Sequence, residues 1–471
     1  MISKVTLGNL PTGVPGLDTL LGGGIPRYSF VLINGAPGSG KTSLAHQIMF
    51  FNASAGRRAL FFTVLGEPPL KMLRYQQQYS YFDIDKIGTA IKYVSLTDDL
   101  GKSGLDGVLE RILTEVDGFR PELVFIDSFK SIVQAVRKEE QGRASLQHFV
   151  QRLSIHAATW QTTTFLLGEY SQAHRDDNPI FTIADGVIHL CQESDDNAVI
   201  RKVRVVKMRG AQHMMGMHSL RIAGDGLHVY PRLLQAGTAT GPHAGTPMAR
   251  LSTGCRELDA MLGGGIPEGY SILLAGLPGC GKTMLATAFL AAGSAAAERG
   301  LIASFEHIVS VNPNPLLQEL LDAGSVSTLY PLALDMSIEE FVMQLESAVE
   351  RTGARRVVID SLNALELVLA PQYRKNFHES LFRLLSCLRL RGVTILMTRN
   401  VPDVTSHALG PGSFIVDGII TMHYVETDRR LIKLISVPKL RGSSHGDEVR
   451  SYRVHARGIA IDVPDPGALP D

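Results

Sequence analysis

The chain of 471 residues carries one tryptophan, four cysteines and no net charge, with 46 basic residues against 46 acidic ones. Each scarcity excludes something. Balanced charge supplies no global field to gather nucleic acid or an anionic membrane, and a lone tryptophan offers no ready stacking platform for single strands. Cys191, Cys255, Cys280 and Cys387 are scattered without C-x-x-C or Cys/His spacing, so neither a zinc site nor a disulfide framework is expected. No apolar run approaches the ~18 residues that span a bilayer. The N-terminal MISKVTLGNLPTG has no apolar leader core, which makes a cytoplasmic location the expectation. What is present is a globular composition, 45% hydrophobic and 20% charged, at a length that suits two domains.

An internal duplication sets the architecture. TGVPGLDTLLGGGIP from Thr12 returns as TGCRELDAMLGGGIP from Thr253, and the GKT lysines, Lys41 and Lys282, repeat the same offset. FIDS with Asp127 is answered by VIDS with Asp360, and KMRG from Lys207 by KLRG from Lys439. Four landmarks in one order indicate two copies of a large unit. Residues 1–234 and 250–471 are expected to be the domains, joined by a Gly-, Ala-, Thr- and Pro-rich linker over 235–249. Within each copy, short apolar runs such as SFVLINGA, ELVFIDS and TTFLLGE alternate with helical stretches. The pattern predicts an α/β fold with a mostly parallel sheet flanked by helices. Leu381, Leu384, Leu385 and Leu388 fall on one helical face. AVIRKVRVVKMRG and RRLIKLISVPKLRG read as strands at the antiparallel end of each sheet.

Two segments satisfy G-x-x-x-x-G-K-[ST] between a strand and a helix: Gly35 to Thr42 and Gly276 to Thr283. Glycines allow successive N–H groups to converge on phosphate oxygens, and the helix N-terminus that follows favours the anion. Gly35, Gly38, Ser39, Gly40, Lys41, Thr42 and Ser43 are therefore expected to hold ATP in the first copy. Gly276, Gly279, Cys280, Gly281, Lys282, Thr283 and Met284 are expected to do so in the second. Lys41 and Lys282 suit the β/γ-phosphates. Thr42 with Asp127, and Thr283 with Asp360, suit Mg²⁺. Cys280 is read as a passive small side chain.

With these motifs the chain resembles the KaiC family of RecA-like ATPases, over nearly its whole length. The resemblance implies tandem RecA-like domains in a homo-hexamer with ATP at subunit interfaces. It implies that Lys207, Arg209 and His213, and Lys439, Arg441 and His445, contact a neighbour's ATP. The family also carries two adjacent glutamates after the strand that follows the P-loop helix, the first of which orients the attacking water. The second copy keeps that first acid as Glu306, whereas the first copy reads Leu65-Gly66-Glu67 and keeps only the second. Turnover is thus expected mainly in the second domain, with Glu67 the first domain's substitute base. Autokinase chemistry is implied at a Ser-Thr pair before I-x-D; here Ser413 fills the Ser position and Phe414 the Thr position. One acceptor remains, and an ordered two-site cycle is not expected. Clock-type members carry a further C-terminal tail, so a clock role is not expected either. An unidentified signalling protein is the implied partner. The competing reading is a DNA-dependent recombinase or helicase relative, against which stand the balanced charge and the lack of a basic arm.

Overall fold

The structure, a computed structural model, describes residues 8–64, 69–136, 142–170, 178–195, 198–232, 249–305, 314–331, 335–375, 377–401, 411–427, 430–455 and 457–462. Glu67, Glu306 and most of the 235–249 segment lie outside the described residues. The chain divides into two compact units, Met1–Arg232 and Leu233–Asp471. Among the described residues, no helix is long and apolar enough to cross a membrane.

In the first unit a nine-stranded sheet has the spatial order Gly226–Tyr230, His218–Ala223, Ala198–Met208, Gly186–Asp195, Phe30–Gly35, Thr163–Gly168, Leu123–Asp127, Ala59–Thr63 and Ile91–Ser95. From Gly186–Asp195 onward the neighbours are parallel, and the first three strands are antiparallel additions. The second unit repeats this topology around its own strand Ser271–Gly276, which lies between Thr394–Asn400 and Gly418–Thr427. Side chains alternate across a strand, and helices cover both faces. Val31, Ile33 and Phe61 thus join one core with Leu44 and Ile48 of helix Lys41–Asn52, while Leu32, Leu60 and Phe62 join another with Val108, Ile112 and Leu153. That double burial explains why the strands are apolar throughout. Helix Phe377–Leu390 buries Leu381, Leu384, Leu385 and Leu388, as its spacing predicted.

The repeated TG…LD…GGGIP motif builds a clip rather than a binding loop. The Thr12 and Thr253 amides donate to Asp18 and Asp259 at 2.9 and 2.7 Å. The three glycines that follow all have positive φ, from +67° to +119° in the first unit. A Cβ on Gly22 would meet the Gln212 carbonyl at 2.4 Å, and one on Gly263 the Ser444 carbonyl at 2.6 Å. The glycines therefore admit the backbone just before His213 and His445.

Candidate ATP site

Each P-loop strand is held at its start by the aspartate that precedes the neighbouring strand. Phe30 N donates to Asp185 Oδ2 at 3.0 Å, and Ser271 N to Asp417 Oδ2 at 3.0 Å. At the other end the chain turns through Gly38 and Gly40, φ +76° and +100°, into helix Lys41–Asn52. Gly279 and Gly281, φ +80° and +105°, do the same before helix Lys282–Ala295. A Cβ on Gly35 would lie 2.4 Å from the Leu190 carbonyl, and one on Gly276 2.2 Å from that of Met422. Only glycine permits this approach of loop to strand. Ser39 Oγ is buried without a hydrogen-bond partner, a polar atom left over in the turn between strand and helix. These features fit a bound phosphate chain.

The cationic and acidic side chains gather at the carboxyl ends of the parallel strands. Lys41 is buried and donates to the Ala36 carbonyl at 2.9 Å. Burial pushes its ammonium below the ordinary lysine range, against the opposing pull of Glu169 and Asp127. Lys282 donates to the Gly276 and Leu277 carbonyls at 3.0 and 2.8 Å and lies 3.8 Å from the Cys280 sulfur. Cys280 is fully buried, and Tyr452 donates to its carbonyl at 2.6 Å. Thr42 Oγ1 donates to Asp127 Oδ2 and Thr283 Oγ1 to Asp360 Oδ2, both at 2.8 Å. Thr398 also donates to Asp360. Burial raises the Asp127 carboxyl, while the Thr42 hydroxyl and Lys41 oppose the rise. No group of three or more His, Cys, Asp or Glu suited to a metal occurs among the described residues. A hydroxyl and a half-buried carboxylate are the sparse oxygen set that fits Mg²⁺, which takes its other ligands from water and substrate phosphates. When bound there, the ion would offset charge on the β- and γ-phosphate oxygens. Ser43 and Met284 bond groups outside the loops: the Ser43 carbonyl accepts from Tyr81 at 3.5 Å, and the Met284 sulfur accepts from Asn314 at 3.3 Å.

The K-x-R-G residues lie elsewhere. Lys207 donates to the Thr182 carbonyl at 3.1 Å, and Arg209 bonds the same carbonyl and Asp185 at 3.1 and 3.2 Å. Lys439 donates to the Ser413 and Val416 carbonyls, both at 2.8 Å, and Arg441 to that of Phe414. Burial lowers both lysines, and the adjacent arginine adds to the effect. All four cations are at the amino-terminal edge of the parallel strands, since Lys207 pairs with Val187 and Lys439 with Ile419. The P-loops leave the carboxyl edge. Strand Ser271–Gly276 separates the two, a distance of roughly 17 Å at the usual rise per residue. His213 Nδ1 is buried without a partner, and His445 Nδ1 lies 3.4 Å from the Ser443 carbonyl.

Reading the sequence overlooked Glu169 and Lys130. Glu169 faces Lys41 at 3.4 Å and accepts from Lys130 at 2.6 Å. An acid closing the apolar run TTFLLGE was a usable signal, because Asp127 closes its own apolar strand in the same manner. It also overlooked His46, one turn beyond Thr42. This ring is fully buried against Phe61, with centroids 4.5 Å apart, and its Nδ1 bonds the Thr42 carbonyl at 2.7 Å. Thr287 makes the same bond to Thr283 at 2.8 Å in the second unit.

Burial lowers His46 from 6.5 to about 4. Between those values the unfolded chain takes a proton that the folded chain refuses, so stability is full above pH 6.5 and falls as the pH drops toward 4. The loss should reach about 3 kcal/mol. Urea unfolding followed by the fluorescence of Trp160, the single tryptophan and a residue of the first unit, should show that slope. His46→Thr should flatten it, whatever its cost at neutral pH; an unchanged slope would assign the acid sensitivity to other groups.

Comparison with known proteins agrees with this geometry. A family model described as "ATPase: KaiC" matches residues 10–233, 251–313 and 317–465. The circadian clock oscillator protein KaiC of Rippkaea orientalis is 26% identical over 472 residues, covering 96% of this chain and 88% of that protein. The circadian clock protein KaiC3 of Synechocystis sp. is 27% identical, covering 98% of this chain and 94% of its own length. The KaiC of Acaryochloris marina is 25% identical, with coverages of 98% and 89%. With two RecA-like sheets, a P-loop on each and a family match along nearly its full length, the chain belongs to the KaiC family of ATPases.

Proposed function

We propose that this ATPase is a homo-hexameric, nucleotide-driven switch with domains at 1–234 and 250–471, Mg-ATP between subunits, and a cytoplasmic protein as its output partner. The observation that carries the reading is the separation of edges. Lys207, Arg209, Lys439 and Arg441 lie at the amino-terminal edge, and the P-loops at the carboxyl edge of the same sheets. A cation that serves phosphoryl transfer from that position must serve another copy's ATP, because its own is a strand length away. Gly35 to Ser43 and Gly276 to Met284 hold the phosphates in this reading, Thr42 with Asp127 and Thr283 with Asp360 hold Mg²⁺, and Glu306 orients water in the second domain. The DNA-dependent alternative gains no specific support, since the formal charge is zero.

A serine autokinase activity fits the same edge. Ser413 is half-buried, and its carbonyl accepts from Lys439, which supports reading it as an acceptor for a neighbour's ATP. Its hydroxyl oxygen would bond the γ-phosphorus as ADP leaves, with the hydroxyl proton passing to a base such as Glu306 in the subunit that holds that ATP. Phe414 offers no second hydroxyl.

Purified protein incubated with Mg-ATP, then examined by native and peptide mass spectrometry, tests both. A six-copy assembly that needs nucleotide, ATP turnover without DNA and phosphate on the Ser413 peptide are expected. Strong stimulation by DNA without hexamers would favour the recombinase reading, and unchanged phosphate incorporation in Ser413→Ala would remove the autokinase site.

A further inference from the structure

The first domain reads Gly66 where the resemblance implies its water-orienting glutamate, yet it holds a carboxylate that the second domain does not. Strand Thr163–Gly168 lies between the P-loop strand and the strand ending in Asp127. Glu169, the next residue, therefore emerges between the phosphate loop and the metal-side acid. Its backbone is fixed by a reciprocal clamp. Asn34, on the P-loop strand, donates its amide to the Tyr170 carbonyl at 3.0 Å and accepts from the Tyr170 amide at 2.8 Å. Its side chain is fixed as well: one oxygen faces the P-loop Lys41 at 3.4 Å, and the other accepts from Lys130 at 2.6 Å. Burial acts to raise this carboxyl, but the two lysines outweigh it and hold Glu169 ionised, below the ordinary glutamate range.

Register shows the contrast. Thr164 pairs with Phe30 and Ile395 with Ser271, so Glu169 corresponds to Asn400. Asn400 exchanges bonds with Asn363 through its backbone, donating at 2.7 Å and accepting at 3.2 Å. An amide cannot take a proton from water. The domain that reads Gly66 thus carries an anionic oxygen at the phosphate loop, and the domain that keeps Glu306 carries a neutral amide.

We propose that Glu169 is the carboxylate that orients and deprotonates the attacking water in the first domain, with Lys130 as its positioning residue. The inference rests on the ATPase activity of the family. In the step, the water oxygen bonds the γ-phosphorus while the bond from that phosphorus to the β–γ bridging oxygen breaks. ADP leaves with the electron pair, and the water proton passes to Glu169 and then to solvent. Lys41 is left to the phosphates.

The test uses the full chain carrying Glu306→Gln, so that the remaining turnover reports the first domain. Adding Glu169→Gln should lower that turnover ~10² to 10⁴-fold. The KM for ATP should move less than about threefold, because the ground-state contacts to phosphate remain. Glu169→Asp should recover part of the rate. The inference is overturned if Glu169→Gln leaves turnover intact, if rate and ATP binding collapse together with loss of assembly, or if Glu67→Gln causes the loss instead. Failure of the underlying reading looks different: the chain without substitutions would bind ATP and release no phosphate.

Discussion

Glu306→Gln should remove most of the ATPase activity: turnover at the second domain's own site should fall ~10² to 10⁴-fold, the usual cost of removing a well-placed base, and what remains is the first domain's. Residue 306 follows strand Gly300–Ser304 and Phe305, whose amide bonds the Asp360 carbonyl at 3.4 Å. Phe305, the last described residue before it, thus lies beside Asp360, the partner of Thr283, where the substrate's metal and γ-phosphate are expected. Glutamine keeps the size of the side chain and its capacity for hydrogen bonds but cannot hold a proton from water. KM should change little and kcat should fall, since the interaction matters in the transition state. Steady-state phosphate release decides it, and a variant with more than half the original turnover would remove Glu306 from the assignment.

Mixing two crippled subunits should restore activity. Arg441→Ala and Glu306→Gln proteins are each expected to lose nearly all second-domain turnover, for different reasons: one lacks the charge offered to a neighbour, the other the base of its own site. In a mixed ring, some interfaces pair an intact base with an intact arginine and recover turnover. The location of Arg441, at the opposite strand edge from Lys282 and bonded to the Phe414 carbonyl of its own chain, is the ground for expecting it to act on a neighbour. If the guanidinium acted within its own subunit, no mixed interface would be better than a pure one. Absence of recovery, with subunit exchange demonstrated by mass, would reject the trans role.

The two expectations differ in how much of each was visible in the order of residues. P-loops are legible because the requirement is local: glycines at Gly38, Gly40, Gly279 and Gly281 take positive φ that other residues resist, and Lys and Thr follow at fixed spacing. Asp127 and Asp360 are legible because each closes an apolar run. The Asp185 and Asp417 contacts that hold the P-loop strands were not legible. Each aspartate reaches a backbone amide about 150 residues away, and spacing at that range carries no information. The TG…LD…GGGIP signature was legible as a family marker but not as a clip, because its glycines answer to Gln212 and Ser444, far along the chain.

By itself, then, the sequence determined the duplication, the α/β class, the two phosphate loops and the acids that end apolar strands, all of which depend on periodicity and backbone conformation within a few residues. Only the tertiary structure decided which distant groups share a site. A parallel sheet brings its carboxyl ends together in an order unlike that of the chain, so Glu169 meets Lys41 across 128 residues and Lys130 across 39. The same ordering sets Lys207, Arg209, Lys439 and Arg441 at the far edge, because the antiparallel strands that carry them end where the parallel strands begin.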